Sequence, residues 1–290
     1  MKTLEIVHGT TYLFHQAVSF WPHRLLLRPR ESRDLRLISS QILIEPAASI
    51  SWAHDVFGNA VATASVGGLA DRLHIRCVSV LEMDAVEWPV FDIAASAIDY
   101  PFRYSDADWA DLGALTVLQH PDPSGRLHRW AKSFVLGDRT DTLALLKDAS
   151  AGVSAAAAYE IREDEGTQSP THTLDRACGS CRDFAVLFAE AVRALGFGAR
   201  VVSGYLHDPT QGLLGSSGPG STHAWAEVFV PGAGWITFDP TNRSVGNINL
   251  IPVAVGRDMA QIMPVSGSFV GPAGASAGLS VSVEVRAYQP

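Results

Sequence analysis

The sequence predicts an α+β fold in two parts: an antiparallel β-sandwich over residues 1–90, then a core over 91–290 in which helices precede antiparallel strands. Three observations predict it. Short β-branched and aromatic runs separated by turn signals fill the first 85 residues. A composition shift follows, with Pro89 and Pro101 and no clear period, and the pattern turns helical after Asp106. Beyond Gly196 the pattern returns to strands.

Residues 3–14 open the first part as a strand rich in Thr, Tyr and Phe. Residues 35–45 alternate in part, and 62–66 form a short apolar run. In 71–83 the alternation is clean, with Leu73, Ile75 and Cys77 on one face and His74 and Arg76 on the other. Phe57, Gly58 and Asn59 mark a turn. Cys77 then reads as a small buried hydrophobe.

In the second part, residues 125–136 and 140–159 are helix candidates, the latter starting at Thr140 and Asp141. Residues 160–180 read as a polar loop. The strongest helix spans 181–195. Phe184, Leu187, Phe188, Ala191, Val192 and Leu195 fall on one stripe, and Gly196 follows where a left-handed cap belongs. Strands are expected at 199–206, 222–230, 234–239, 250–255 and 279–288, the last two grouped with the core.

Composition bounds the function. Of 290 residues, 47% are hydrophobic and 18% charged, enough apolar material for a packed core. The charge sum is 22 − 30 = −8. An acidic chain without a basic stripe disfavours nucleic acid and an anionic membrane surface. The longest charge-free stretch, 259–283, is broken by Pro264, Gly267, Gly271, Pro272, Gly274 and Gly278, so no membrane helix is expected. An odd count of three cysteines points to reduced thiols, and with an N-terminus that alternates like a strand, to a cytoplasmic setting.

The chemistry concentrates at Cys181. Ser180 is a good N-cap and Asp183 stands three residues on, which sets Cys181 at the first helical position. There a thiol meets unsatisfied N–H groups and the positive end of the helix dipole, and both favour the thiolate. Its own N–H points to where an acyl oxyanion would form. His223, at the open end of a strand, is the candidate base, and Asp239, at the end of the next strand, the orienting acid. A pairing of Val230 with Trp235 would put His223 and Asp239 on opposite sheet faces. The site therefore requires a register shifted by one, through an odd-length loop or a bulge at Gly232 and Gly234.

Cys178 and Cys181 also form a CxxC pair. A redox reading expects it after a strand in a βαβ unit, yet a Thr/Ser/Pro loop precedes it here. A zinc reading finds only His172 as a further nearby ligand. A single nucleophile with Cys178 as its neighbour outweighs both, leaving a reversible Cys178–Cys181 disulfide as a minor option. No metal or organic cofactor is expected. Trp225 reads as core or cleft wall, and a substrate contact is kept open for it. Asp258, beside Arg257, reads as half of a structural ion pair or as a cleft-lining substrate contact. Residues 212–221 read either as a solvated loop or as a flap over the cleft.

Three stretches carry a resemblance: CRDFAVLFAEAVRALGFGARVVSGYL, HAWAEVFVPGAGWITFDPTN and VAVGRDMAQIMPVSGSFVG. With HGTTYLF, LLLRPRES and HDVFGNAV before them, the chain resembles the bacterial transglutaminase-like superfamily, a group that includes assigned cysteine proteases. The resemblance implies a papain-like core whose nucleophile helix packs on an antiparallel sheet, preceded by a β-domain. It implies Cys181 as nucleophile, His223 as base and Asp239 as acid. The group usually reads Gly-Val-Cys where this chain reads Gly179-Ser180-Cys181, and Ser suits the capping role. The expected activity is acyl transfer from a peptide or amide substrate, with hydrolysis favoured because an amine acceptor needs its own site. Transfer of a glutaminyl acyl group to an amine is the alternative. A binding module that kept the fold and lost turnover is the alternative from another class.

Overall fold

In the computed structural model, which describes residues 1–162, 166–208, 212–214 and 220–288, the first part is a sandwich of two sheets. Six strands begin it: β1 (Lys2–Phe20), β2 (His23–Leu25), β3 (Leu35–Glu45), β4 (Ala48–His54), β5 (Ala60–Val66) and β6 (Leu69–Met83). One sheet runs β1-β6-β3 and the other β2-β5-β4, all antiparallel. Phe14, Phe20, Leu25, Ala62, Leu73 and Ile75 fill the space between them. Alternation sends these residues inward and leaves polar neighbours in water. Cys77 is buried as expected.

The core begins with β7 (Asp99–Tyr100), α1 (Asp106–Leu112), α2 (Arg126–Lys132), β8 (Thr140–Asp141) and α3 (Thr142–Ala156). Asp141 caps α3 by accepting the Ala144 N–H at 2.7 Å. Next come β9 (Ala158–Tyr159), α4 (Pro170–Arg176), β10 (Cys178–Gly179) and α5 (Cys181–Ala194). The expected polar loop over 160–180 thus holds a helix. Ser169 caps it and Pro170 sits at its first position, where a missing N–H costs nothing.

Five antiparallel strands follow: β11 (Ala199–His207), β12 (Gly220–Val230), β13 (Gly234–Asp239), β14 (Ser244–Val245) and β15 (Leu250–Gly256). They lie in the order β14-β13-β12-β11-β15, and α5 packs on β12 and β11. The sequence shows a single apolar stripe on α5, yet every residue from Asp183 to Arg193 is buried. The sheet covers one side and α2, α3 and α4 the other. Its buried charges are paired: Arg193 meets Glu190 at 2.6 Å, and Glu190 also accepts the N–H groups of Gln119 and His120.

The last strands are β16 (Val265–Ser266), β17 (Phe269–Val270) and β18 (Ser276–Ala287). Grouping them with the core needs correction. β16 pairs with β2, and β17 and β18 pair with β1, so the chain returns to the sandwich. The long β1 offers a second edge, and a periodic pattern does not encode which edge a strand will join. Val285 of β18 is buried against Gly220 of the core sheet, so this strand touches both parts. A second tie is Asn59, whose side chain pairs with both backbone groups of Val255 at 2.8 and 2.9 Å.

No helix among the described residues is long and apolar enough to cross a membrane.

Candidate active site

Cys181 is the first residue of α5, with Ser180 as its N-cap. Asp183 fixes this start. Its carboxylate accepts the Ser180 N–H at 2.9 Å and the Ser180 hydroxyl at 2.8 Å. It also accepts the Gln168 N–H at 2.7 Å and Arg162 Nε at 3.1 Å. Burial alone would raise its pKa, but these donors hold it below the ordinary carboxylate value. Gly179 permits the turn, because a Cβ there would come within 3.0 Å of the Asp183 side chain. The N–H of Cys181 is one of the unsatisfied groups at the positive end of the helix.

His223 and Asp239 come from neighbouring strands. The pairing runs Val230↔Gly234, Phe229↔Trp235 and on to Ala226↔Phe238. One step further sets Asp239 opposite Trp225, which puts Asp239 on the His223 face. This is the shift by one that the sequence requires. A three-residue connection, Pro231, Gly232 and Ala233, produces it, with Gly232 at φ 86° and Gly234 at φ 73°. Gly232 also fits closely against Asp92 and Ala94, where a Cβ would lie 2.5 Å from backbone atoms.

The His223 Nε2 lies 2.8 Å from Asp239 Oδ2, with both side chains buried. Burial alone would push the imidazole pKa down, but Asp239, and Cys181 after it, raise it to about 10. The other ring nitrogen, Nδ1, is buried and makes no hydrogen bond among the described residues. Asp239 is itself held. Oδ1 accepts the N–H of Thr241 at 2.9 Å, and Oδ2 accepts Asn242 Nδ2 at 2.9 Å. Burial opposes its charge, yet His223 and Asn242 keep its pKa below the ordinary value.

The structure thus brings Cys181, His223 and Asp239 together. It also brings Tyr159, whose residue pairs with Gly179. Burial, with Cys181 and Asp239 close by, pushes its phenol up to about 12. Nothing in the sequence around Tyr159 marked it. Asn242 had a signal in the DPTN turn, since an Asx residue three positions after an Asp can bond back to it.

Two residues kept open as substrate contacts take the packing and ion-pair roles that the sequence also allows. Trp225 is fully buried, its ring 6.1 Å from the His223 ring at 29°, among Val202, Leu206, Leu250 and Val255. It backs the imidazole and has no open surface for a substrate. Asp258 lies 3.4 Å from His120 Nε2 and caps a short 3₁₀ turn at Met259–Gln261. Neighbouring Arg257 accepts a bond from Arg193, twelve residues along α5 from Cys181 and about 18 Å away at 1.5 Å per residue. Of the stretch 212–221, read as a solvated loop or a flap, residues 215–219 lie outside the described residues, as do 163–165 and 209–211. Among the described residues no three His, Cys, Asp or Glu side chains converge as a metal site.

Known proteins share this arrangement of parts. Residues 128–240 match the core of the transglutaminase-like superfamily, and residues 4–82 match the bacterial transglutaminase-like N-terminal region. The chain belongs to the transglutaminase-like superfamily. ML0607 of Mycobacterium leprae, an uncharacterised protein, is 26% identical over 282 residues, covering 93% of this chain and 94% of its own. The uncharacterised Rv2569c of Mycobacterium tuberculosis is 28% identical over 275 residues, covering 91% and 86%. Among solved structures, "Putative Cysteine Protease from Cytophaga hutchinsonii" superposes with a TM-score of 0.75 at 18% identity. It covers 100% of this chain and 93% of that one, so the two-part fold is shared.

Proposed function

We propose that this superfamily member performs thiol-dependent acyl transfer on an amide, and that hydrolysis of a peptide or amide bond is the outcome. One observation carries the reading. Asp239 occupies Nε2 of His223 and leaves a buried Nδ1 unbonded, with Cys181 as the interacting neighbour.

The chemistry follows from that geometry. The Cys181 sulfur attacks the carbonyl carbon as a thiolate and forms a C–S bond. The carbonyl π electrons move to oxygen, and the Cys181 N–H at the helix start stabilises the oxyanion. Collapse breaks the C–N bond, and protonated Nδ1 gives its proton to the departing amine. A thioester remains. Water attacks it while Nδ1 takes up a proton, the C–S bond breaks, and a carboxylic acid leaves with the thiolate restored. Asp239 keeps charge and orientation on the ring throughout and stays ionised.

Alkylation tests the nucleophile. At pH 6 iodoacetamide should label Cys181 in the folded chain faster than it labels Cys77 in the unfolded chain. Equal rates would sink the proposal and favour a module that only binds. A glutamine-containing protein with a labelled amine tests the outcome: new carboxylates or cut ends support hydrolysis, and amine incorporation replaces it with transamidation.

A further inference from the structure

A cleft of about 340 Å³ opens at Phe184, one turn along α5 from Cys181, within the size range of small-ligand sites. Tyr159, paired with Gly179 two residues before Cys181, lines it on the same side. Ala157, Phe184, Leu213 and Leu214 give it apolar walls.

Two polar features break that lining. Thr241 lines the cleft and is 2% exposed, yet its hydroxyl has no hydrogen-bond partner among the described residues. A buried hydroxyl left unpaired costs free energy, so such a group in a cleft points to a ligand that satisfies it. Arg243 stands exposed at the mouth, with its Nε on Ser154 Oγ at 2.6 Å. Its backbone is left-handed, φ 54°, which few side chains adopt without a local constraint.

The cleft wall is also tied to the reacting groups. The Asn242 Oδ1 accepts the Leu214 N–H at 2.8 Å, while Asn242 Nδ2 donates to Asp239. A residue seated against Leu214 is thereby registered to the acid behind His223.

We infer that this cleft seats one apolar residue of an extended peptide, hydrogen-bonds its main chain through Thr241 Oγ1, and favours an acidic neighbour through Arg243. The inference rests on the acyl-transfer reading for the place of the scissile bond beside Cys181, and the seat itself stands on its own geometry.

Binding without turnover tests it. The Cys181→Ala chain is titrated by fluorescence anisotropy with labelled, blocked pentapeptides that carry Leu or Gly at one position and Glu or Lys at the next. Leu should bind about ten-fold tighter than Gly, the scale expected for burying one aliphatic side chain. Glu beside it should bind tighter than Lys, and Arg243→Glu should reverse that order. Thr241→Val should weaken the Leu peptide about ten-fold, while Thr241→Ser, which keeps the hydroxyl, should not. Equal affinity for Leu and Gly, or an unchanged affinity in Thr241→Val, would overturn the inference. Leu-selective binding beside an unreactive Cys181 in the parent chain would remove the acyl-transfer reading and leave the seat. A reactive Cys181 without Leu selectivity would do the reverse.

Discussion

The Nε2 of His223 and the Oδ2 of Asp239 meet at 2.8 Å because a three-residue connection, with two glycines at positive φ, sets their strands one residue off the pairing that a two-residue link would give after Val230. That offset puts both side chains on one sheet face. It also decides which ring nitrogen bonds Asp239 and which is left unbonded among the described residues.

Replacing Asp239 with Asn keeps the shape and removes the charge that offsets the cost of burying the imidazolium. In the parent the His223 pKa is about 10. Without the carboxylate, desolvation dominates and the value falls. The alkaline limb of Cys181 alkylation should therefore move to lower pH, and NMR titration of the His223 ring should move with it. An alkaline limb that stays in place would contradict the assigned pairing.

The same pair bears on stability. The folded pKa of His223 is raised, about 10 against an ordinary 6.5. Its contribution is complete below pH 6.5 and is lost as the pH rises toward 10. In that window one extra proton held by the folded state gives a slope of about 1.4 kcal/mol per pH unit. Urea denaturation at pH 6, 8 and 10 should show the parent losing stability with a slope that His223→Gln lacks.

Asp183→Ala should destabilise the chain by about 2–4 kcal/mol, because it leaves the buried Ser180 and Gln168 N–H groups without their acceptor. The check is the denaturation midpoint. Cys181 reactivity should fall as well, since Asp183 fixes the helix start that carries the thiol.

Gly204→Ala should cost about 1–3 kcal/mol by overpacking. An added Cβ would lie 2.1 Å from the Ile251 carbonyl oxygen and 2.6 Å from the Trp225 ring. Trp225 backs His223, so the displaced ring should also slow alkylation of Cys181. A variant with parental midpoint and rate would show that the contact relaxes freely.

Cys181→Ala should keep the denaturation midpoint near that of the parent, since Ser180 and Asp183 form the cap, and should lower turnover by about three orders of magnitude or more. Amide hydrolysis at a parental rate would assign the chemistry elsewhere.

Local signals made much of this legible. The cap at Ser180, the stripe on α5, and Gly232 with Gly234 each act within a few residues, and together they locate Cys181, His223 and Asp239. The seven-residue α4 escaped because Pro170 reads as a breaker unless its Ser169 cap is weighed with it. Trp225 and Asp258 stayed open between a structural and a substrate role for another reason. A tryptophan two residues from a site histidine, or an aspartate in a shared motif, has the same pattern whether it faces ligand or core. Tyr159 reaches the site through a two-residue parallel pairing with β10, and so short a contact leaves no periodicity.

Strand β18 has a consequence for biosynthesis. β1 is synthesised before β18, so the strand that covers its outer edge arrives only after the core between them has been made. Until then that edge displays unpaired N–H and C=O groups along about ten residues, a template for pairing with the wrong chain. Crowded expression should therefore select against slow completion, and a nascent chain stalled before residue 276 should be the aggregation-prone species. Val285, buried against Gly220, joins this late strand to the sheet that carries His223.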